Sequence, residues 1–212
     1  MSTRDNRTFA DAQSTWDARY DKPEYIFGKA PNAFLARQKA RLARGTRALC
    51  IADGEGRNSV WLAAEGLRVD AFDVSPVGVD KARRLAAERG VTVSFNLCDI
   101  DAWTWQANAY DVVAAIFFQF ADPAQRARIF AGIVRTLAPG GWLFLEGYTP
   151  KQLDYKTGGP SQIEHLYTPV LLRESFAALD IVELVEYEEE VDEGPQHRGR
   201  SALIDLVARK AR

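Results

Sequence analysis

Residues 49–58 read Leu-Cys-Ile-Ala-Asp-Gly-Glu-Gly-Arg-Asn, an apolar run that breaks into a Gly-x-Gly turn and resumes with helical character. A strand that enters such a turn and leaves it as a helix makes a cradle for a nucleotide-containing cofactor. Glycine lets the backbone come close to a ligand, and the helix N-terminus presents free N–H groups to it. The rest of the chain reads as support for this cradle, closure over it, or the second half of a site facing it.

The support is a strand and helix alternation. Residues 47–52 and 68–73 read as strands joined by a helix over 57–65 that Gly66 closes. Ser75 caps a second helix, with Pro76 in its first turn, that runs to Arg89 before Gly90. Residues 91–95 alternate as a third strand, and the apolar run 110–118 has the character of a strand covered on both faces. Asp122-Pro123 opens a helix ending at Leu137, Pro139-Gly140-Gly141 stops it, and 142–148 is a fifth strand. Successive alternations of this kind predict an α/β fold, a doubly wound and mostly parallel sheet with right-handed crossovers.

The last third breaks the rhythm. Residues 149–167 form a polar, Gly- and Pro-containing connection, and Thr168-Pro169 then caps a helix with Val170, Leu171, Leu172, Phe176 and Leu179. Two strand-like runs, 181–191 and 201–208, are too close together for a helical crossover. They must pair as a hairpin, which makes one C-terminal strand antiparallel and brings the sheet to seven strands. At the other end, residues 1–12 are polar and rich in small side chains. Trp16, Tyr20, Tyr25 and Phe27 follow, read either as a helix and loop packed outside the sheet or as an aromatic lid. Asn32 starts a helix running through Leu42 that Gly45 ends. The expected organisation is one domain over 1–212, with a helical lid at 1–45, a cofactor-binding core at 46–148, and a substrate-side loop, helix and hairpin at 149–212.

Composition narrows the function. With 27 Lys and Arg against 29 Asp and Glu, the net charge of −2 gives no field that would draw nucleic acid or an anionic membrane. No apolar run approaches the ~20 residues of a membrane span, and the N-terminus lacks a signal-peptide core. Cys50 and Cys98 lie in strand-like runs at neither disulfide nor metal-ligand spacing, so no metal is expected and the reading is a reducing, cytoplasmic setting. Composition says nothing about the oligomeric state.

In an open α/β sheet the ligand sits beyond the carboxyl ends of the strands, where the strand order reverses. The candidate cofactor contacts are therefore Asp53, Gly54, Gly56 and Arg57 after the first strand, Asp73 and Val74 after the second, Asp99 and Ile100 after the third, and Phe117 after the fourth, with Tyr25 reaching in from the lid. Asp73 lies 19 residues beyond Gly54, the spacing at which a carboxylate accepts from ribose hydroxyls; Asp99 is placed for an adenine amino group, with Val74 and Ile100 flanking the ring. Asp73 and Asp99 could equally be caps or turn acceptors. A nicotinamide dinucleotide is the competing cofactor, but Ser59 stands where its fingerprint has a third glycine, and the terminal hairpin fits a purely parallel fold poorly.

The first strand and turn, the 69–75 segment Val-Asp-Ala-Phe-Asp-Val-Ser, Cys98-Asp99-Ile100, Tyr110-Asp111-Val112-Val113 and Leu137-Ala138-Pro139-Gly140-Gly141 together resemble the successive motifs of class I S-adenosylmethionine-dependent methyltransferases. The 54–59 segment, Trp16, Tyr20 and Gln196-His197-Arg198 look most like the tellurite-resistance methyltransferases and their thiopurine methyltransferase relatives. Two positions depart from the pattern: Cys50 stands where the superfamily usually has an acid, and Ala52 where it has glycine. The resemblance implies a Rossmann-like methyltransferase fold, S-adenosylmethionine as cofactor with S-adenosylhomocysteine as product, and a small-molecule methyl acceptor. It carries a His-Arg pair onto His197 and Arg198, with His197 taking a proton from or orienting the acceptor. Arg198 would favour a thiol, chalcogen oxyanion or other anionic nucleophile. His165 is the weaker candidate of the two histidines. The acid-rich run from Glu183 to Glu193 reads mainly as a solvated strand face. A non-catalytic donor-binding module is the remaining alternative.

Overall fold

The structure, a computed structural model, describes residues 9–212; residues 1–8, most of the polar N-terminal stretch, lie outside it. Seven strands form one sheet: β1 (Arg47–Ile51), β2 (Arg68–Asp73), β3 (Ser94–Leu97), β4 (Tyr110–Ile116), β5 (Leu137–Tyr148), β6 (Asp180–Asp192) and β7 (Arg198–Arg209). Seven α-helices accompany them: α1 (Phe9–Tyr20), α2 (Ala33–Arg37), α3 (Arg57–Ala64), α4 (Pro76–Arg89), α5 (Pro123–Thr136), α6 (Gln152–Tyr155) and α7 (Pro169–Ser175). The strand order is β3-β2-β1-β4-β5-β7-β6, and β7 alone runs against the direction of the other six. The sheet is thus doubly wound and mostly parallel with an antiparallel C-terminal hairpin strand, as expected.

Alternation along each strand divides the core between two faces. Leu49, Ile51, Val113, Ala115, Leu143 and Leu145 pack with Ile129, Phe130 and Ile133 of α5 and Leu172 of α7. Ala48, Cys50, Val112, Ala114 and Phe144 pack with Phe34 and Leu35 of α2 and Leu62 of α3. Apolar residues on both pleats are what a doubly covered parallel sheet requires. Cys50 is 2% exposed and burial raises its thiol pKa, so it packs rather than reacts.

Four local readings change. The third strand is shifted to 94–97, and α2 gives way to a 3₁₀ turn at Lys39–Arg41 before it reaches Leu42. Pro139-Gly140-Gly141 lies inside β5 rather than ending a helix: Gly140 N–H donates to the Lys210 carbonyl and Lys210 N–H to that of Gly141, both at 2.9 Å, so the segment is held as an irregular strand. The final helix, α7, is shorter and stops at Ser175. Among the described residues no helix is long and apolar enough to cross a membrane.

Candidate active site

The strand order reverses between β1 and β4, and the cradle lies at their carboxyl ends. Ala52, Gly54 and Gly56 all have positive φ there, at 47°, 59° and 89°. A Cβ on Gly56 would meet the Ala82 Cβ at 2.6 Å, so this glycine lets α3 close on α4. Asp53 accepts from the Ser59 hydroxyl and, at 3.3 Å, from the Ser59 N–H, which ties the turn to the first turn of α3. Asp73 accepts from the N–H groups of Gly54 at 2.8 Å and Ser75 at 2.9 Å. Burial raises both carboxyl pKa values, to about 7 for Asp53 and about 6 for Asp73, against the lowering effect of those bonds.

α1 lies on the cradle. A Cβ on Gly54 would stand 2.5 Å from the Tyr20 hydroxyl, and Tyr20 is 4% exposed. Its ring stacks on Trp16 at 5.4 Å and meets Phe27 edge-on at 6.4 Å. Burial, then the charges of Asp73 and Glu55, raise its phenol pKa. Lys81 of α4 anchors the end of α1 by donating to the carbonyls of Tyr20, Lys22 and Glu24 while pairing with buried Glu55 at 2.5 Å. Two open clefts, of about 440 and 490 Å3, lie elsewhere, one along Phe95–Cys98 and Ala102–Thr104 and the other between Thr149, Lys151 and the Glu186–Glu188 segment.

The donor set fits an adenosine-bearing cofactor. The atoms nearest a Cβ on Gly54 all belong to Tyr20, and the backbone bonds from Gly54, Ser75 and Val74 still leave Asp73 a lone pair for a hydroxyl donor. The other expected contacts are placed less directly. Asp99 serves as a turn acceptor, taking the Asp101 N–H at 2.7 Å, and half-buried Val74 donates its N–H to Asp73. Ile100 is 6% exposed and packs into the core with Leu49, Ile51 and Phe72. Tyr25 donates to the Lys81 carbonyl at 2.9 Å and packs with Val60, Leu85 and Ala86, because the loop after α1 crosses α4 there. Arg57 turns away from the cradle to the Phe27 carbonyl at 3.2 Å and to Glu193 at 2.7 Å.

Opposite the cradle, Phe117, Tyr148 and His197 come together from β4, β5 and the hairpin turn. The His197 ring meets Phe117 at 4.5 Å and Tyr148 at 5.7 Å, both edge-on, and Phe117 itself takes a φ of 52°. His197 is 3% exposed; its Nδ1 lies 3.3 Å from Glu193 Oε2, and its buried Nε2 has no partner among the described residues. Glu193 also accepts from Ala33 N–H at 2.7 Å and from Asn32 Nδ2 at 3.2 Å. Burial would raise its pKa, but the His197 hydrogen bond and the Arg57 charge hold it at about 2.

The expected His-Arg pair does not form. Adjacent residues on a strand point to opposite sides, and Arg198, at the start of β7, is exposed and forks onto Asp192 at 2.9 and 3.0 Å. His165, in a 3₁₀ turn, engages Gln119 through its carbonyl. Sequence reasoning missed Glu193, which it assigned to a solvated face. The available signal was its place four residues before His197 across a Gly194-Pro195 turn. It also missed Arg19, whose guanidinium donates to Gln196 Oε1 at 2.8 Å and so joins α1 to the same turn.

A comparison with known families decides what this arrangement is built on. Residues 48–141 match the methyltransferase domain family. That segment contains β1 through the first half of β5, hence the whole cradle. The chain is 32% identical over 110 residues to a ubiquinone biosynthesis O-methyltransferase from Methylocella silvestris, covering 51% of this chain but 42% of that protein, so it spans less than half the relative's length. Two solved structures share the fold across nearly the whole chain. One, from work on the conversion of a disulfide bond into a thioacetal group during echinomycin biosynthesis, has a TM-score of 0.76 at 19% identity, with 94% of this chain and 91% of that one covered. The other, the N-methyltransferase NodS from Bradyrhizobium japonicum WM9 in complex with S-adenosylhomocysteine, has a TM-score of 0.72 at 16% identity, with 95% and 99% covered. The sheet is a Rossmann-like methyltransferase fold.

Proposed function

We propose that the protein is an S-adenosylmethionine-dependent methyltransferase acting on a small molecule. The observation that carries the reading is the Asp73 carboxylate, held by the N–H groups of Gly54 and Ser75 at the reversal point of a sheet whose core matches a methyltransferase domain. Asp53, Gly54 and Asp73 would hold the donor, which supplies an electrophilic methyl whose bonding pair leaves on a neutral thioether. The protein's work is then to orient the acceptor, exclude water and manage the acceptor's proton. His197 faces that task from the hairpin, with α1 and the 149–167 connection as closure. The resemblance of the 54–59 segment and of Gln196-His197 to the tellurite-resistance and thiopurine group supports a thiol or a chalcogen oxyanion as acceptor.

Calorimetric titration tests the reading. S-adenosylmethionine and S-adenosylhomocysteine are expected to bind, NAD and NADP are not, and Asp73→Asn weakens binding by about tenfold or more. Binding of NAD with none of S-adenosylmethionine would reverse it.

A further inference from the structure

The His197 ring is held in an unusual way for a surface turn. One nitrogen is tied to a carboxylate, and the other is buried without a partner between two aromatic edges. A buried polar nitrogen left unpaired costs stability, and native structures keep few of them, so this one calls for an explanation. Glu193 supplies half of it. Arg57 at 2.7 Å, Ala33 N–H and Asn32 keep Glu193 ionised and in place, so it can only accept, and the hydrogen on His197 must sit on Nδ1. Nε2 then carries the lone pair. The Phe117 ring, half-buried where Tyr148 is buried, lies 4.5 Å from the His197 ring at the end of the sheet where an acceptor would stand.

We propose that Glu193 is a positioning residue that fixes His197 in the Nδ1–H tautomer, so that Nε2 takes the proton of an acceptor arriving as a neutral thiol or hydroxyl. The proposal rests on the methyltransferase reading and narrows its acceptor class. Arg198 is committed to Asp192 and Arg57 to Glu193, so neither of these two guanidinium groups is free to hold an acceptor that arrives ionised. The acceptor's heteroatom–hydrogen bond breaks, the proton moves to Nε2, and the electron pair left behind forms the new bond to the transferred methyl. Glu193 balances the imidazolium that results.

Long-range nitrogen-15 correlation spectra of the full chain test the tautomer without donor or acceptor. Only two histidines are present, and His197→Gln assigns the signal. The native protein is expected to show Nδ1–H. The double variant Glu193→Leu/Arg57→Met, which removes both charges so that neither is left buried alone, is expected to lose that preference by about tenfold or more, and Glu193→Asp to keep it. Native Nε2–H, or a preference the double variant leaves intact, overturns the proposal. In turnover at neutral pH, 2-mercaptoethanol, an alkanethiol that stays protonated there, is expected to be methylated and tellurite not, with kcat for 2-mercaptoethanol at least about tenfold lower in Glu193→Ala and the donor KM unchanged. Equal kcat in native and variant, or methylation of tellurite alone, also overturns it. If S-adenosylmethionine does not bind at all, the methyltransferase reading fails on that count, and the tautomer spectra still decide the role of Glu193.

Discussion

The two halves of the proposed site are built from different materials. On the donor side, Asp53, Gly54 and Gly56 are near neighbours in sequence, Asp73 is one strand further on, and backbone N–H groups make the decisive bonds. On the acceptor side, Phe117, Tyr148, Glu193 and His197 come from three distant segments and meet through side chains. The donor side is a property of a strand-turn-helix unit, whereas the acceptor side exists only once the hairpin has folded back across β5. A change on one side should therefore leave the other's readout alone, and variants can break or sharpen that separation.

The largest effect is expected from His197→Gln, which removes the acceptor-side lone pair. kcat should fall by about 10²–10⁴-fold with donor affinity unchanged, compared by steady-state kinetics and calorimetry. A parallel loss of donor affinity would show that the two sides are not separable. Gly56→Ala tests the converse. It places a Cβ against Ala82 at a φ of 89°, so a loss of about 2–4 kcal/mol is expected in denaturant unfolding, together with loss of donor binding.

The pH dependence sharpens the comparison further, because the donor-side carboxyls carry raised pKa values. Folding lifts Asp53 from 3.8 to about 7, so ionising it costs stability, and its contribution to the donor-free fold declines as pH rises from about 4 to about 7. Donor binding needs the ionised acceptors and should strengthen over about pH 6–7, the range in which Asp73 and Asp53 lose their protons. The two trends have opposite sign. Melting curves of the native protein and Asp53→Asn, set beside calorimetry over the same range, should show the stability trend weakened in the variant, with Asp73 still contributing up to about pH 6.

The smallest effect is expected from Ala52→Gly. Ala52 holds a φ of 47°, a conformation that costs an alanine roughly 1 kcal/mol and a glycine little, although glycine adds entropy to the unfolded chain. A net gain of about 0.5 kcal/mol in urea unfolding, with donor affinity unchanged, is the expected result.

Much of the cradle was legible in the sequence because its determinants are local. Gly-x-Gly must be a turn, Ser75-Pro76 must open a helix, and continuous apolar runs must be covered strands. The left-handed backbone at Ala52 accounts for the glycine that the family resemblance expects there. Errors came where a residue's role depends on what lies across from it. Tyr25, Ile100 and Arg198 were judged by chain position, and each is claimed by another partner: Lys81, the core, and Asp192. Glu193 was passed over in a run of seven acids, because nothing in composition marks which of them turns inward.

The sequence by itself therefore determined the α/β alternation and the doubly wound sheet with its terminal hairpin. Hydrophobic period, glycine conformation and helix caps act over a few residues and leave their mark in order along the chain. Only the tertiary structure decided that Tyr20 lies on Gly54, that Arg57 serves Glu193 rather than the cradle, and that His197 has a carboxylate on one nitrogen and none on the other. The first two join residues far apart in the chain, and the last depends on the hairpin turn that the pairing of β6 with β7 closes.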